Sequence, residues 1–216
     1  MLITIDNIKQ GGVVAVLRNM NLNNALQIAT TLHENGIKIL EITVEAEEGL
    51  EVIKLLTSKM PKTIMIGAGT VLDPETAKSA INAGAQFIFS PNVNLETIRM
   101  TKRYGAFCVP GALTPTEILK AYEHGADAVK VFPIRTFGPQ YLKDLSGPYP
   151  QIPLIPTGGI NIKNIKDYLK SGAVAVGVGT SLVDPSKSEE KNFYELLKHN
   201  AIKFVQQVES ARINNH

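Results

Sequence analysis

Short β-branched runs recur along this chain, and each is followed by a longer segment with helical periodicity. The pattern predicts strands over 13–18, 39–44, 63–70, 87–91, 107–110, 128–133, 154–157 and 175–179. It predicts helices over 23–35, 47–58, 74–83, 95–104, 115–124, 140–145 and 162–171, a long last one over 191–211 and a short leading one over 4–10. The runs are apolar on both faces, as parallel strands buried beneath helices must be. Eight strands, each followed by a helix, make the count of a closed (β/α)8 TIM barrel of the α/β class. An open doubly wound sheet uses the same units, but eight near-equal ones favour closure.

Punctuation agrees with this parsing. Small-residue signals follow the predicted helices at Asn35-Gly36, Ala83-Gly84-Ala85, Tyr104-Gly105, His124-Gly125-Ala126 and Ser171-Gly172-Ala173. Glycine there supplies the left-handed C-cap. Asp73-Pro74 and Thr114-Pro115 open helices, and Glu117 completes a capping box with Thr114. No linker or low-complexity tract interrupts the 216 residues, so one barrel domain over 1–216 is expected.

Charge and cysteine content narrow the function. The 22 basic and 20 acidic residues are scattered, leaving a net charge of +2 and no basic stripe for nucleic acid or membrane. Apolar runs such as 13–17 fall far short of the ~20 residues that a membrane span needs. The start of the chain lacks the pattern of a signal peptide, and Cys108 is the single cysteine, so a cytoplasmic protein is expected. His33, His124, His199 and His216 fall on predicted helices or the tail with no metal-ligand spacing, so no metal site is expected. A buried, inert thiol is the reading for Cys108, which sits in an apolar strand.

The chemistry should lie at the C-terminal ends of the strands, where barrels of this kind build their sites. The sixth strand reads Val129-Lys130-Val131-Phe132-Pro133. A lysine between valines in a central parallel strand must point inward, since the outer face packs on helices. Taking an ammonium out of water favours the neutral amine, the form that attacks a carbonyl. On the second strand, period-two alternation puts Glu41, Thr43 and Glu45 on one face and Leu40, Ile42 and Val44 on the other. The polar set is the inward one. Glu41 can then reach Lys130 either as a proton shuttle or as a structural ion-pair partner, and spacing alone leaves both open.

Two glycine-rich stretches end the seventh and eighth strands: Pro156-Thr157-Gly158-Gly159-Ile160 and Gly177-Val178-Gly179-Thr180-Ser181. The loops after these strands form the usual phosphate site of the fold, with bare N–H groups and a helix N-terminus facing the anion. Thr157, Gly158, Gly159, Gly179, Thr180 and Ser181 are the candidate phosphate ligands, the last two through their hydroxyls. On the third strand, Gly67 and Gly69 are expected to keep the barrel mouth open, with the Thr70 hydroxyl turned into the site. Arg18 shares the parity of Val14 and Val16, and reads equally as a ligand for an anion or as half of a surface ion pair. Pro91 and Pro110 terminate the fourth and fifth strands.

The motifs Leu40-Glu41-Ile42-Thr43, Gly67-Ala68-Gly69-Thr70-Val71, Gly84-Ala85-Gln86-Phe87, Ser90-Pro91, Pro110-Gly111, Lys130-Val131-Phe132-Pro133, Gly147-Pro148 and Pro156-Thr157-Gly158-Gly159-Ile160 follow one another in order. Together they resemble the 2-dehydro-3-deoxy-6-phosphogluconate / 4-hydroxy-2-oxoglutarate aldolases over nearly the whole chain. The resemblance implies a cofactor-free class I aldolase that acts on a small 2-keto acid, yields pyruvate and glyceraldehyde 3-phosphate, and assembles as a homotrimer. It further implies Lys130 as the Schiff-base lysine, Glu41 as the acid/base, and Thr70, Pro91 and Phe132 around the pyruvate unit. Two positions depart from the pattern, the smaller change being Asn92, which follows Ser90-Pro91 where glycine is more usual. Many members carry an arginine for the substrate carboxylate where this chain has Glu45. Arg18, on the adjacent strand, is the replacement that parity offers. Two other functions use the same barrel: a phosphosugar isomerase or epimerase, and a non-catalytic phosphosugar-binding protein.

Overall fold

The computed structural model describes residues 3–213, so the expectation for His216 lies outside the described residues. Its parallel strands are β1 (Val13–Leu17), β2 (Ile39–Thr43), β3 (Met65–Gly69), β4 (Phe87–Phe89), β5 (Phe107–Val109), β6 (Gly111–Ala112), β7 (Val129–Val131), β8 (Leu154–Pro156) and β9 (Val176–Val178). They form two sheets, ordered β5-β4-β3-β2-β1-β9 and β6-β7-β8. Both seams between the sheets are bridged. β5 and β6 are one stave divided at Pro110, whose ring nitrogen has no hydrogen to donate. The Pro110 carbonyl accepts from the Lys130 N–H at 2.9 Å, and there the stave changes its partner from β4 to β7. At the other seam β8 meets β9 through bridges from Leu154 to Ala173 and from Thr157 to Gly177. Eight staves thus close into the expected TIM barrel.

Helices α2 (Leu22–Glu34), α3 (Gly49–Lys59), α4 (Pro74–Asn82), α5 (Leu95–Arg103), α6 (Pro115–Glu123), α7 (Gly138–Ser146), α8 (Ile165–Lys170) and α9 (Phe193–Ile213) follow the staves in turn. The capping signals act as the sequence predicts. Asp73 accepts from the Thr76 N–H to open α4, and Thr114 and Glu117 close a reciprocal capping box on α6. Among the described residues no helix is long and apolar enough to cross a membrane.

Strand parity sorts the apolar residues into two shells. Leu40, Ile42, Ala15 and Leu17 face outward into a layer shared with helix residues such as Ile28, Ile53 and Ile118. Ile39, Val14, Met65, Phe87, Phe107 and Ile155 fill the barrel's interior. Helix α1 (Ile5–Gly11) seals the floor by inserting Ile8 into this inner cluster, where Phe87 and Phe89 meet edge to face at 5.4 Å. A floor packed in this way leaves the opposite end of the barrel as the open one.

Most strands end earlier than the sequence predicts. Thr70 leaves β3 with φ of 59°, and Pro91 and Pro110 lack the donor that would extend the ladder. Helix α8 starts at Ile165, not at the expected 162, because Asn161 and Asn164 spend their amides on turns. Asn161 N–H donates to Asn164 Oδ1 at 2.8 Å, and Asn164 Nδ2 donates to the Gly159 carbonyl at 3.0 Å.

Candidate active site

A cavity of about 690 Å³ opens at the C-terminal ends of the staves. Arg18, Thr70, Pro91, Lys130, Phe132, Thr157, Gly158, Gly159, Gly179, Thr180 and Ser181 are all on its wall. Of the expected site residues only Glu41 is not, since it lies behind Lys130. Lys130 Nζ stands 3.5 Å from Glu41 Oε1, with 7% of the lysine side chain and 1% of the glutamate side chain exposed. The rings of Phe89 and Phe132 flank the amine, with centroids 5.8 and 5.3 Å away. Glu41 Oε2 is buried and has no hydrogen-bond partner. A carboxylate oxygen in that state is costly unless something comes to use it. The arrangement sets a buried lysine amine beside a carboxylate with one oxygen left over, at the base of the cavity.

The third strand explains how this carboxylate fits. A Cβ added at Gly69 would lie 2.1 Å from Glu41 Oε1, and one at Gly67 would lie 2.2 Å from the Phe87 ring. The β3 glycines make room for side chains of neighbouring staves, a role beyond the open mouth expected of them. Gly177 on β9 does the same for Thr157, whose hydroxyl oxygen an added Cβ would approach to 2.3 Å. That Thr157 oxygen is buried without a partner, between the lysine and the glycine loop. Thr70, on the cavity wall, keeps a left-handed backbone, a conformation that is uncommon for a β-branched residue and costs about 1–3 kcal/mol.

At the outer end, the two glycine loops face one another across the cavity. No acceptor among the described residues takes the N–H groups of Gly159, Ile160, Thr180 or Ser181. Two expectations about these loops need correction. The Ser181 hydroxyl donates to the Ile160 carbonyl at 2.6 Å, so it staples the loops together and is not free for an anion. No α-helix begins at either loop: a turn leads from Asn161 to α8, and another from Gly179 to the short 3-10 helix Pro185–Lys187. What the loops offer is bare backbone amides.

Arg18 and Glu45 are joined in an ion pair at the mouth, half-exposed at 53% and 34% of their side chains. Sequence reasoning missed Arg135, which also lines the cavity, along with Val16, Asn161, Val183 and Pro185. Arg135 follows the end of β7, so strand parity carried no signal for it; the remaining four are neutral and stood out in no motif. Cys108 is buried, and desolvation, with the Asp127 carboxylate adding to it, pushes its thiol up to about 12, out of the nucleophilic range. His33 lies on α2, His124 caps α6 and His199 lies on α9. Among the described residues, no three His, Cys, Asp or Glu side chains gather as a metal site would require.

Similarity to known proteins agrees with this chemistry. The chain matches the KDPG and KHG aldolase family over residues 4–199. It is 33% identical over 193 residues to the 2-dehydro-3-deoxy-phosphogluconate aldolase of Haemophilus influenzae, spanning 89% of this chain and 91% of that one. It is also 33% identical over 180 residues to the 2-dehydro-3-deoxy-6-phosphogalactonate aldolase of Escherichia coli, spanning 83% and 88%. Among solved structures it superposes on the KDPG aldolase of Legionella pneumophila, which holds pyruvate captured as a covalent carbinolamine intermediate. The TM-score is 0.80 at 29% identity, with 96% of this chain and 97% of that one covered. An isomerase, an epimerase or a non-catalytic binding protein is not favoured by these relatives. The chain belongs to the KDPG and KHG aldolase family and is a class I aldolase, a carbon–carbon lyase.

Proposed function

We propose that Lys130 and Glu41 cleave a phosphorylated 2-keto-3-deoxy acid, of the gluconate or galactonate series, to pyruvate and glyceraldehyde 3-phosphate. The observation that carries this reading is the buried Lys130 amine 3.5 Å from Glu41 Oε1 at the base of an open cavity. Lys130 passes one proton to Glu41 and adds its amine to the C2 carbonyl, forming a C–N bond, while a second proton moves from the nitrogen to the carbonyl oxygen. Glu41 protonates the resulting hydroxyl, which leaves as water, and the iminium remains. Glu41, recharged as a carboxylate, removes the C4 hydroxyl proton directly or through water. The C3–C4 bond breaks, its electron pair passes into the enamine, and the aldehyde departs. Protonation of C3 and hydrolysis of the imine then release pyruvate and the free lysine.

Other wall residues fit the remaining parts of such a substrate. Thr70, Pro91 and Phe132 surround the pyruvate unit, with the Thr70 hydroxyl a donor for its carboxylate. The bare amides around Gly158, Gly159, Gly179, Thr180 and Ser181 suit a phosphate, and holding both ends fixes the bond that breaks. Thr157 offers its unpartnered hydroxyl midway along the chain. The reading includes a homotrimer working in the cytoplasm. Leu22 and Leu26 support assembly, since they lie a turn apart on α2 and are exposed at 41% and 37%.

Borohydride added with pyruvate tests the central step. Reduction should fix a single adduct, and peptide mass mapping should place it on Lys130. An adduct on another lysine, or none from an enzyme that is turning over, would end the Schiff-base proposal.

A further inference from the structure

Three cations line the cavity: Arg18, Lys130 and Arg135. Two of them are matched, Arg18 by Glu45 and Lys130 by Glu41. Arg135 has no ion-pair or hydrogen-bond partner among the described residues. It is the uncompensated charge on the wall. Its place is fixed by the backbone, because the adjacent Ile134 N–H donates to the Thr157 carbonyl at 3.1 Å. Its stem lies along the second glycine of the loop: a Cβ added at Gly159 would fall 2.8 Å from Arg135 Nε and 3.0 Å from Cγ. Gly159 is therefore needed twice, for its φ of 78° and for the arginine resting on it. The guanidinium group belongs to the same corner as the amides of Gly159 and Ile160, which lack acceptors.

We propose that Arg135 is a specificity-determining residue that selects substrates bearing a phosphate at the end remote from the keto group. The proposal rests on the aldolase reading above. A planar, permanently charged fork matches two oxygens of a phosphate, whereas Arg18 already spends its charge on Glu45. A phosphate dianion that reaches the glycine loops meets both bare amides and one surplus positive charge. A substrate ending in a neutral hydroxyl meets the amides alone. Because Arg135 is exposed, water screens the attraction, and the effect is that of one charge-assisted contact at a wet rim.

The test compares wild type, Arg135→Ala and Arg135→Lys on 2-dehydro-3-deoxy-6-phosphogluconate and on its unphosphorylated analogue. Competitive inhibition by inorganic phosphate is measured in parallel. Arg135→Ala should lower the preference for the phosphorylated substrate about ten- to hundredfold, as expected for losing a hydrogen bond to a charged group. Phosphate inhibition should weaken by a similar factor, and Arg135→Lys should recover part of both. A preference that survives Arg135→Ala but disappears when Thr180 and Ser181 are made bulky would overturn the role of Arg135 and leave the phosphate cradle standing. A wild type that ignores the phosphate would overturn the cradle as well. Should Arg135→Ala fail to fold, Arg135→Lys carries the test, since full preference with the lysine would refute any need for the fork.

Discussion

Glu41 on the second stave and Glu45 in the turn just beyond its end are each paired with a cation, at different depths. At the deep site the partners are almost wholly buried, stand 3.5 Å apart and leave one glutamate oxygen unused. At the mouth, Arg18 and Glu45 are in direct contact but share their charges with water. Depth decides what each pair is for. Removing one member of a buried pair strands the other and costs about 3–5 kcal/mol, whereas an exposed pair is worth about 0.2–1 kcal/mol. The deep pair is buried and each member depends on the other, which fits the proton exchange proposed for it. The mouth pair is exposed and weakly coupled to stability, which suits groups that cancel charge at an entrance.

The sharpest way to break the contrast is to remove the deep amine. Lys130→Met should abolish turnover and borohydride trapping together, since no other lysine among the described residues lines the cavity. Turnover that persists without the lysine would mean that the deep pair is structural. Glu41→Gln comes next, because it keeps the size and removes the base. The expected loss in kcat is roughly 10²–10⁴-fold, the range for a general acid/base. An unaltered kcat would reduce Glu41 to a counter-ion for Lys130.

Gly69 sharpens the comparison without touching either charge. An added methyl would sit 2.1 Å from Glu41 Oε1, so Gly69→Ala must move the carboxylate away from its present place. A displacement on the scale of 1 Å can cost about 10²-fold in rate. The expected pattern is a kcat reduced by roughly that factor, with pyruvate still trapped on Lys130. Normal kcat in Gly69→Ala would show that the position of Glu41 is not critical.

Much of this site was legible because a polar side chain inside an apolar strand has few explanations. Lys130 and Glu41 announced themselves in this way, and alternation told which side they face. The stave count and the helix caps were equally open, since each is written in a contiguous segment. What stayed hidden depends on contacts between segments. That Gly69 is small for the sake of Glu41, and Gly177 for the sake of Thr157, is a matter of register between staves. Pro110 read as the end of a strand, yet the stave resumes at Gly111 against Lys130. Ser181 read as a free hydroxyl because nothing local revealed Ile160 beside it. Arg135 lies beyond the last residue to which strand parity applies, and only the packed structure brings it over Gly159.

The smallest expected effect belongs to the mouth, and it tests whether Arg18 serves the substrate carboxylate. Strand parity leaves Arg18 open as an anion ligand or as half of a surface ion pair. The ion pair is formed, and Arg18 also lines the cavity, so bridging is the arrangement to test. With 53% of its side chain in water, Arg18 contributes little to stability, and Arg18→Ala should lower it by less than about 1 kcal/mol. Its effect on KM should be larger, because an unpaired Glu45 near the entrance repels an anionic substrate. Water limits that repulsion, so KM should rise by a factor of several and no more than about tenfold, one contact of modest strength. Glu45→Gln alone should leave KM unchanged or slightly lower, since Arg18 is then released toward the anion. The double variant should recover part of the loss caused by Arg18→Ala, and a double-mutant cycle measures that coupling directly. Strict additivity in KM would mean that the pair is a surface ornament and that Thr70 and the backbone amides hold the carboxylate without it. A rise far above tenfold in Arg18→Ala would instead place Arg18 on the substrate itself, and the mouth would then resemble the deep site more than their depths suggest.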